Sequence, residues 1–209
     1  MSDINQLIDL TCPADMFDVT KDTCRKNFGV LKAIVVQKTA GVSPFADFTS
    51  GVGGMDAVLT WSTAYALLDS DPDALRNVVF EATTTAHVGG DAVTQDYPDS
   101  TSGLEIVTSY DANAWDIEVL QPSAALEADL RKLSSLQSVE KLNVWFVSDT
   151  NQIMGGLAGF PASTITYKMA DRGTRTDTDK GMLSVKYRHA PTADDIKDLA
   201  QATIDAIVA

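Results

Sequence analysis

The sequence predicts an α+β fold in which a mainly antiparallel β-sandwich or barrel is packed by about three helices. Three observations lead there. Short segments rich in β-branched and aromatic residues recur along the chain, several of them alternating with the period of two that a half-buried strand requires. Clusters of Gly, Pro, Asn, Asp and Ser separate them. Apolar residues recur at helical spacing in only three places, near Trp61, near Leu130 and at the carboxyl end.

The segment with the strongest pattern is Lys141 to Gly156, KLNVWFVSDTNQIMGG. Leu142, Val144 and Phe146 fall on one side of an extended strand, and Asn143, Trp145 and Val147 on the other, so both faces are largely apolar. Ser148-Asp149-Thr150-Asn151 supplies side chains that bond their own backbone and tolerate left-handed conformations, which lets the chain reverse into Gln152-Ile153-Met154. This reads as a hairpin near the centre of a sheet, with one side against helices and the other covered within the sheet assembly or by an adjacent subunit.

Taken in order, residues 1–28 read as a polar, acid-rich arm of the kind that docks on a neighbour, and 29–209 as a single α+β domain. Phe28 to Gln37 is a strand apolar on both faces. Thr39 to Gly54 is a connection. Met55 to Leu68 reads as an amphipathic helix with Val58, Trp61, Tyr65 and Leu68 on its inner stripe, ended by Asp69-Ser70-Asp71-Pro72-Asp73. Arg76 to Thr85 is one strand with Val79 and Phe80 directed inward. A long loop is expected at 86–103, of the kind that is disordered or used for contacts, and another at 170–181, whose mixed charges read as a solvated loop or as a contact between subunits, with His87 as a loop histidine. Leu104 to Ser109 and Asn113 to Leu120 are strands. Pro122-Ser123 opens a helix to Leu136 that buries Leu126, Leu130 and Leu133. Gly155 to Pro161 reads as a flexible connection and Thr164 to Met169 as a strand. In Met182 to His189, Leu183, Val185, Tyr187 and His189 share one face. Thr192 caps a final helix, with Asp195 at the capping-box position and Ile196, Leu199, Thr203 and Ile207 as its buried stripe.

The charge balance narrows the classes of partner. The net charge is −13 over 209 residues, and it is not a tail: residues 1–100 hold 6 basic and 14 acidic side chains, the remainder 10 and 15. Binding to nucleic acid or anionic membrane depends on clustered Lys and Arg, which this distribution disfavours. Two readings of the acidity stay open, ordinary solubility or a surface that lets a polyanion pass without adhering. No stretch approaches the roughly 20 apolar residues of a membrane span. With no signal peptide evident, the chain is expected in a cytosol until assembly or lysis.

No residue pattern points to catalysis, a metal or a cofactor, and none is assigned to such a role. Cys12 and Cys24 form no metal-binding spacing and read as free thiols. Gly51-Val52-Gly53-Gly54 is followed by Met55-Asp56, not by the Lys and hydroxyl of a phosphate-binding loop. The acids from Asp69 resemble the opening of a calcium loop, but Pro72 stands at the fourth position, Ala74 at the sixth and Phe80 where the bidentate glutamate belongs. His87 and His189 sit beside no nucleophile motif.

The order of these segments is similar to that of virion structural proteins from tailed phages infecting Bacteroidota, including crAss-like phages, which build tail tubes and the rings joining portal to tail. The resemblance is carried by Cys24 before FGVLKAIVVQK, then MDAVLTWSTAYALLDSD, a strand, a glycine-containing acidic loop leading to GLEIV, WDIEVLQPSAALEADLRKL and NVWFVSDTNQIMG. The helix after His189 departs from it. The resemblance implies a β-rich tube or ring fold, homo-oligomeric assembly that is sixfold or a multiple, contacts with other tail or neck proteins, transient non-specific passage of DNA, and no catalytic residue. It would also explain an acidic channel, which repels phosphate and keeps DNA mobile. A capsid-decorating or host-surface binding module using the two long loops is the alternative expectation, and an envelope hydrolase using Asp and His189 a more distant one.

Overall fold

The computed structural model describes residues 28–80, 83–89, 92–96, 105–110, 112–169, 180–188 and 195–209. The arm, except for Phe28, both cysteines, His189 and Thr192 lie outside that set, as does 170–179 of the second expected loop.

Two antiparallel sheets share one core. The first runs β2 (Arg76–Val79), β1 (Leu31–Lys38), β7 (Leu142–Ser148), β8 (Gln152–Met154) and β11 (Ile196–Asp198). The second runs β9 (Phe160–Met169), β10 (Lys180–Tyr187), β6 (Asn113–Leu120) and β3 (Thr83–Val88). They join at two corners. Phe160 and Pro161 of β9 pair with Val144 and Asn143 of β7 before the strand turns to β10. On the other side β2 pairs with β1 and β3 with β6, and the Leu31 amide donates to Thr85 Oγ1 at 3.5 Å across the gap. Strands that switch sheets in this way make the corners of orthogonal sandwiches and barrels.

The expected two-faced character of β7 is what the structure shows. Leu142, Val144 and Phe146 enter the core between the sheets with Ile34, Trp115, Ile117, Leu183, Val185 and Tyr187. Trp145 and Val147 enter a second core, formed with Phe45, Trp61, Leu75, Ile204 and Ile207 under α1 (Val58–Tyr65) and α3 (Gln201–Val208). Trp145 is thus covered by its own chain. The third helix, α2 (Ala124–Val139), starts at Ser123, whose Oγ accepts the Leu126 amide at 3.2 Å, and buries Leu130 and Leu133. Ser134 Oγ and Gln137 Nε2 donate to the Ile165 and Ala162 carbonyls, covering the edge that β9 does not pair.

Several expectations are corrected. Arg76 to Thr85 is not one strand: its two ends need different partners, so β2 and β3 are separate. The inward residues are Val78 and Phe80, whereas Val79 lies partly buried in the helix-covered core. The loop at 86–103 contains the end of β3 and β4 (Ala92–Asp96), which pairs with β5 (Glu105–Tyr110) as a two-stranded sheet. The first helix is shorter than Met55 to Leu68, with Val58 and Leu68 exposed and Trp61 and Ala64 buried. The last helix begins at Gln201, because Ile196–Asp198 is held as a strand on the β8 edge. Ile196, Leu199, Thr203 and Ile207 are nonetheless all buried.

Nor is Gly155 to Pro161 a loose connection. Trp145 Nε1 donates to the Gly156 carbonyl at 2.9 Å. A Cβ on Gly155 (φ +148°) would stand 2.7 Å from Trp145 Cδ1, and one on Gly159 (φ +75°) 3.0 Å from its Cε2. Glycine is required there by conformation and by contact. Gly155→Ala is expected to lower unfolding free energy by about 2–4 kcal/mol, combining backbone strain with overpacking. Urea denaturation followed by Trp fluorescence measures it; a loss under about 0.5 kcal/mol, the range of neutral surface changes, would contradict this packing account.

Candidate functional site

Several residues that sequence reasoning weighed for chemistry, among those described, are engaged in structure. Gly51 and Gly54 close a tight turn, the Gly54 amide donating to the Gly51 carbonyl at 2.9 Å. Asp71 Oδ1 accepts the Asp73 amide at 2.9 Å, and Asp73 Oδ1 accepts the Val42 amide at 2.6 Å, so these acids tie a corner together. Asp69 accepts from Arg76 Nε at 2.6 Å, and the hydrogen bond and charge of that guanidinium hold its carboxyl below the usual range. Arg76 also donates to the carbonyls of Leu67 (2.6 Å) and Tyr65 (3.3 Å), satisfying acceptors that the end of α1 leaves open. Among the described residues no three His, Cys, Asp or Glu side chains are grouped to hold a metal ion.

His87 is a strand residue. It stands opposite Trp115 in the β3–β6 register, 5.0 Å from that ring, and its Nε2 lies 2.8 Å from the Tyr187 hydroxyl. Tyr187 in turn stacks on Phe160 at 5.0 Å and meets Phe146 at 5.5 Å. No local pattern could have revealed this contact, since the two residues are 100 positions apart. His87 thus serves as a hydrogen-bonding and ring-packing partner of the aromatic residues on β6 and β10.

What remains as candidate functional surface is the outer side of the second sheet. Inward positions of β10 alternate with Met182, Ser184 and Lys186, whose register partners are Lys168, Thr166 and Thr164 on β9, and Glu118, Asp116 and Ala114 on β6. Apart from small, buried Ala114, these outward residues are exposed or half-exposed. The face is wettable, rich in hydroxyls, and locally near charge balance, since Lys180 Nζ meets Glu118 Oε1 at 2.5 Å. The first sheet differs, because α1 and α3 cover its outer side.

No family model matches the chain, and no curated protein matches it. Among solved structures it is similar to a chain of the gene transfer agent tail refined with C6 symmetry, at 13% identity and TM-score 0.33 over 59% of this chain and 87% of that one. A chain of the native gene transfer agent virion gives 13% and 0.33 over 56% and 87%. A chain of the sixfold-symmetrised anti-feeding prophage baseplate gives 6% and 0.36 over 84% and 98%. At these scores the likeness assigns neither fold nor role.

Burial raises the pKa of both Tyr65 and Tyr187 above the ordinary tyrosine value of 10.0. Above about pH 10 the unfolded chain therefore releases protons that the folded chain retains, and stability falls by up to about 1.4 kcal/mol per pH unit for each group. Below that pH neither contributes any slope. A urea midpoint series from pH 8 to 11 is expected to be flat and then to fall, and Tyr65→Phe with Tyr187→Phe should flatten the alkaline limb. An unchanged limb in the double variant would assign the effect to other groups.

Proposed function

We propose that this is a non-enzymatic phage virion structural protein that self-assembles into a ring of the tail tube or head–tail connector, through which DNA passes. The observation that carries the reading is the asymmetry of the two sheets. One has helices over its outer face, while the other leaves a broad, hydroxyl-rich face with balanced charge. In a ring, such a face is suited to line a channel: it stays wet, and Lys168, Lys180 and Lys186 stand among Asp116 and Glu118, so passing phosphates meet lysines interspersed with acids and no purely basic cluster. Net negative charge elsewhere adds repulsion that keeps a polyanion mobile. The order of segments that resembles Bacteroidota phage tail and neck proteins supports the same reading, and with it a sixfold or multiple-of-six ring in contact with other tail or neck proteins.

The β4–β5 sheet favours assembly in a second way. Two strands alone are marginally stable in water, so a ribbon of this kind gains by lying against another surface. That leaves a capsid-decorating or host-surface binding module as the rival use of the same ribbon.

Negative-stain images of the purified full chain test the proposal. Rings with an open centre, alone or beside other virion proteins of the same particle, are the expected result. A strictly monomeric species at every concentration, with no rings even beside those proteins, would count decisively against it.

A further inference from the structure

We infer that the outward face of the α1–α3 layer is a contact surface for a second copy of this chain. The inference deepens the self-assembly reading and rests on it, by naming where two copies meet.

The first support is a local absence of charge. From Ala57 to Leu68 the sequence holds no charged residue. Together α1 and α3 contain a single one, Asp205, whereas α2, as long as both combined, carries Glu127, Asp129, Arg131 and Lys132. The acids that bracket α1 are turned to structural use. Asp56 Oδ1 accepts the Ala200 amide at 2.7 Å, tying the start of α3, and Asp69 is bound by Arg76. Thus α2 has the composition of a solvated helix, and α1 does not.

The second support is what stands outward. Leu59 is 67% exposed, Val58 43% and Val52, at the tip of the loop leading into the helix, 100%. Ser62, Thr63 and Ala66 beside them are exposed and uncharged. Apolar groups with charged residues depleted are the composition of an interface centre.

Charge also selects the occupant. Copies of a chain with net charge −13 repel one another over most of their surface. They oppose the fewest like charges through the face poorest in acids, where α1 has none and α3 only Asp205. A basic partner would instead be drawn to the acidic surface, and nothing about it would require a neutral face.

The test is sedimentation velocity of the full chain across salt concentration. Wild type is expected to associate, and to associate more strongly as salt screens the repulsion. Leu59→Glu should weaken association at least about tenfold, the cost of setting like charges together in a contact, while its circular dichroism and thermal midpoint stay those of wild type. Met182→Glu, an equally simple change on the open sheet, should associate normally. If Leu59→Glu alters folding, Val52→Glu at the fully exposed tip replaces it. Variants that still form rings as wild type does overturn this contact but leave the ring reading intact. A wild type that never self-associates overturns both, and association that weakens with salt overturns the helical face as the contact, in favour of oppositely charged contacts between copies elsewhere on the surface.

Discussion

The structure depends on one strand having no solvent side. Each side chain of β7 from Val144 to Val147 is fully buried, alternately into one core and the other. Burying an apolar side chain of this size contributes about 1.5–3 kcal/mol, against about 1–2 kcal/mol to order each residue's backbone. A strand buried on one side only, with every second side chain exposed, would recover less than it loses. Burial on both sides makes β7 a source of net stability, but it requires two separate covers. The second sheet supplies one, and the α1–α3 layer the other. Trp145 sets how closely the second cover fits, because its indole is bonded to the Gly156 carbonyl and leaves no room for a side chain at Gly155.

Those two covers divide the surface into regions of different character. The second sheet has only one apolar face to spend, so its other face remains polar and, among the described residues, uncovered by any helix. The helical layer is poor in charge, α1 having none and α3 only the exposed Asp205, with Asp56 and Asp69 recruited to hold the helices in place. Charge that a soluble chain would ordinarily spread over its helices is concentrated elsewhere, including on α2. In the ring proposed above, this division would set the wet face toward the polyanion and the charge-poor face toward a neighbouring copy.

Much of this was legible in local pattern. The alternation of β10 and the apolar spacing of α2 announce their inner faces without ambiguity, and the structure buries Leu183, Val185, Tyr187, Leu130 and Leu133 accordingly. Ile196 and Leu199 were assigned to the core correctly but to the wrong element, since a spacing of three fits a helix and a strand with its following turn equally well. His87 was misread as a loop residue because its partners, Tyr187 and Trp115, are distant in sequence. The alternation of β6, β9 and β10 shows that one sheet face is polar, but not that no helix among the described residues covers it.

Local chemistry decided which residues avoid water, where the chain turns, and that a strand near the centre must be covered twice. It could do so because side-chain spacing and glycine conformation act within a few residues. Which strands meet was settled only in three dimensions. The division of β2 from β3 and the docking of β11 on β8 each depend on backbone donors and acceptors finding partners far along the chain, and hydrogen bonds of that kind, like those of the nearer β4–β5 pair, leave no mark on the spacing of side chains.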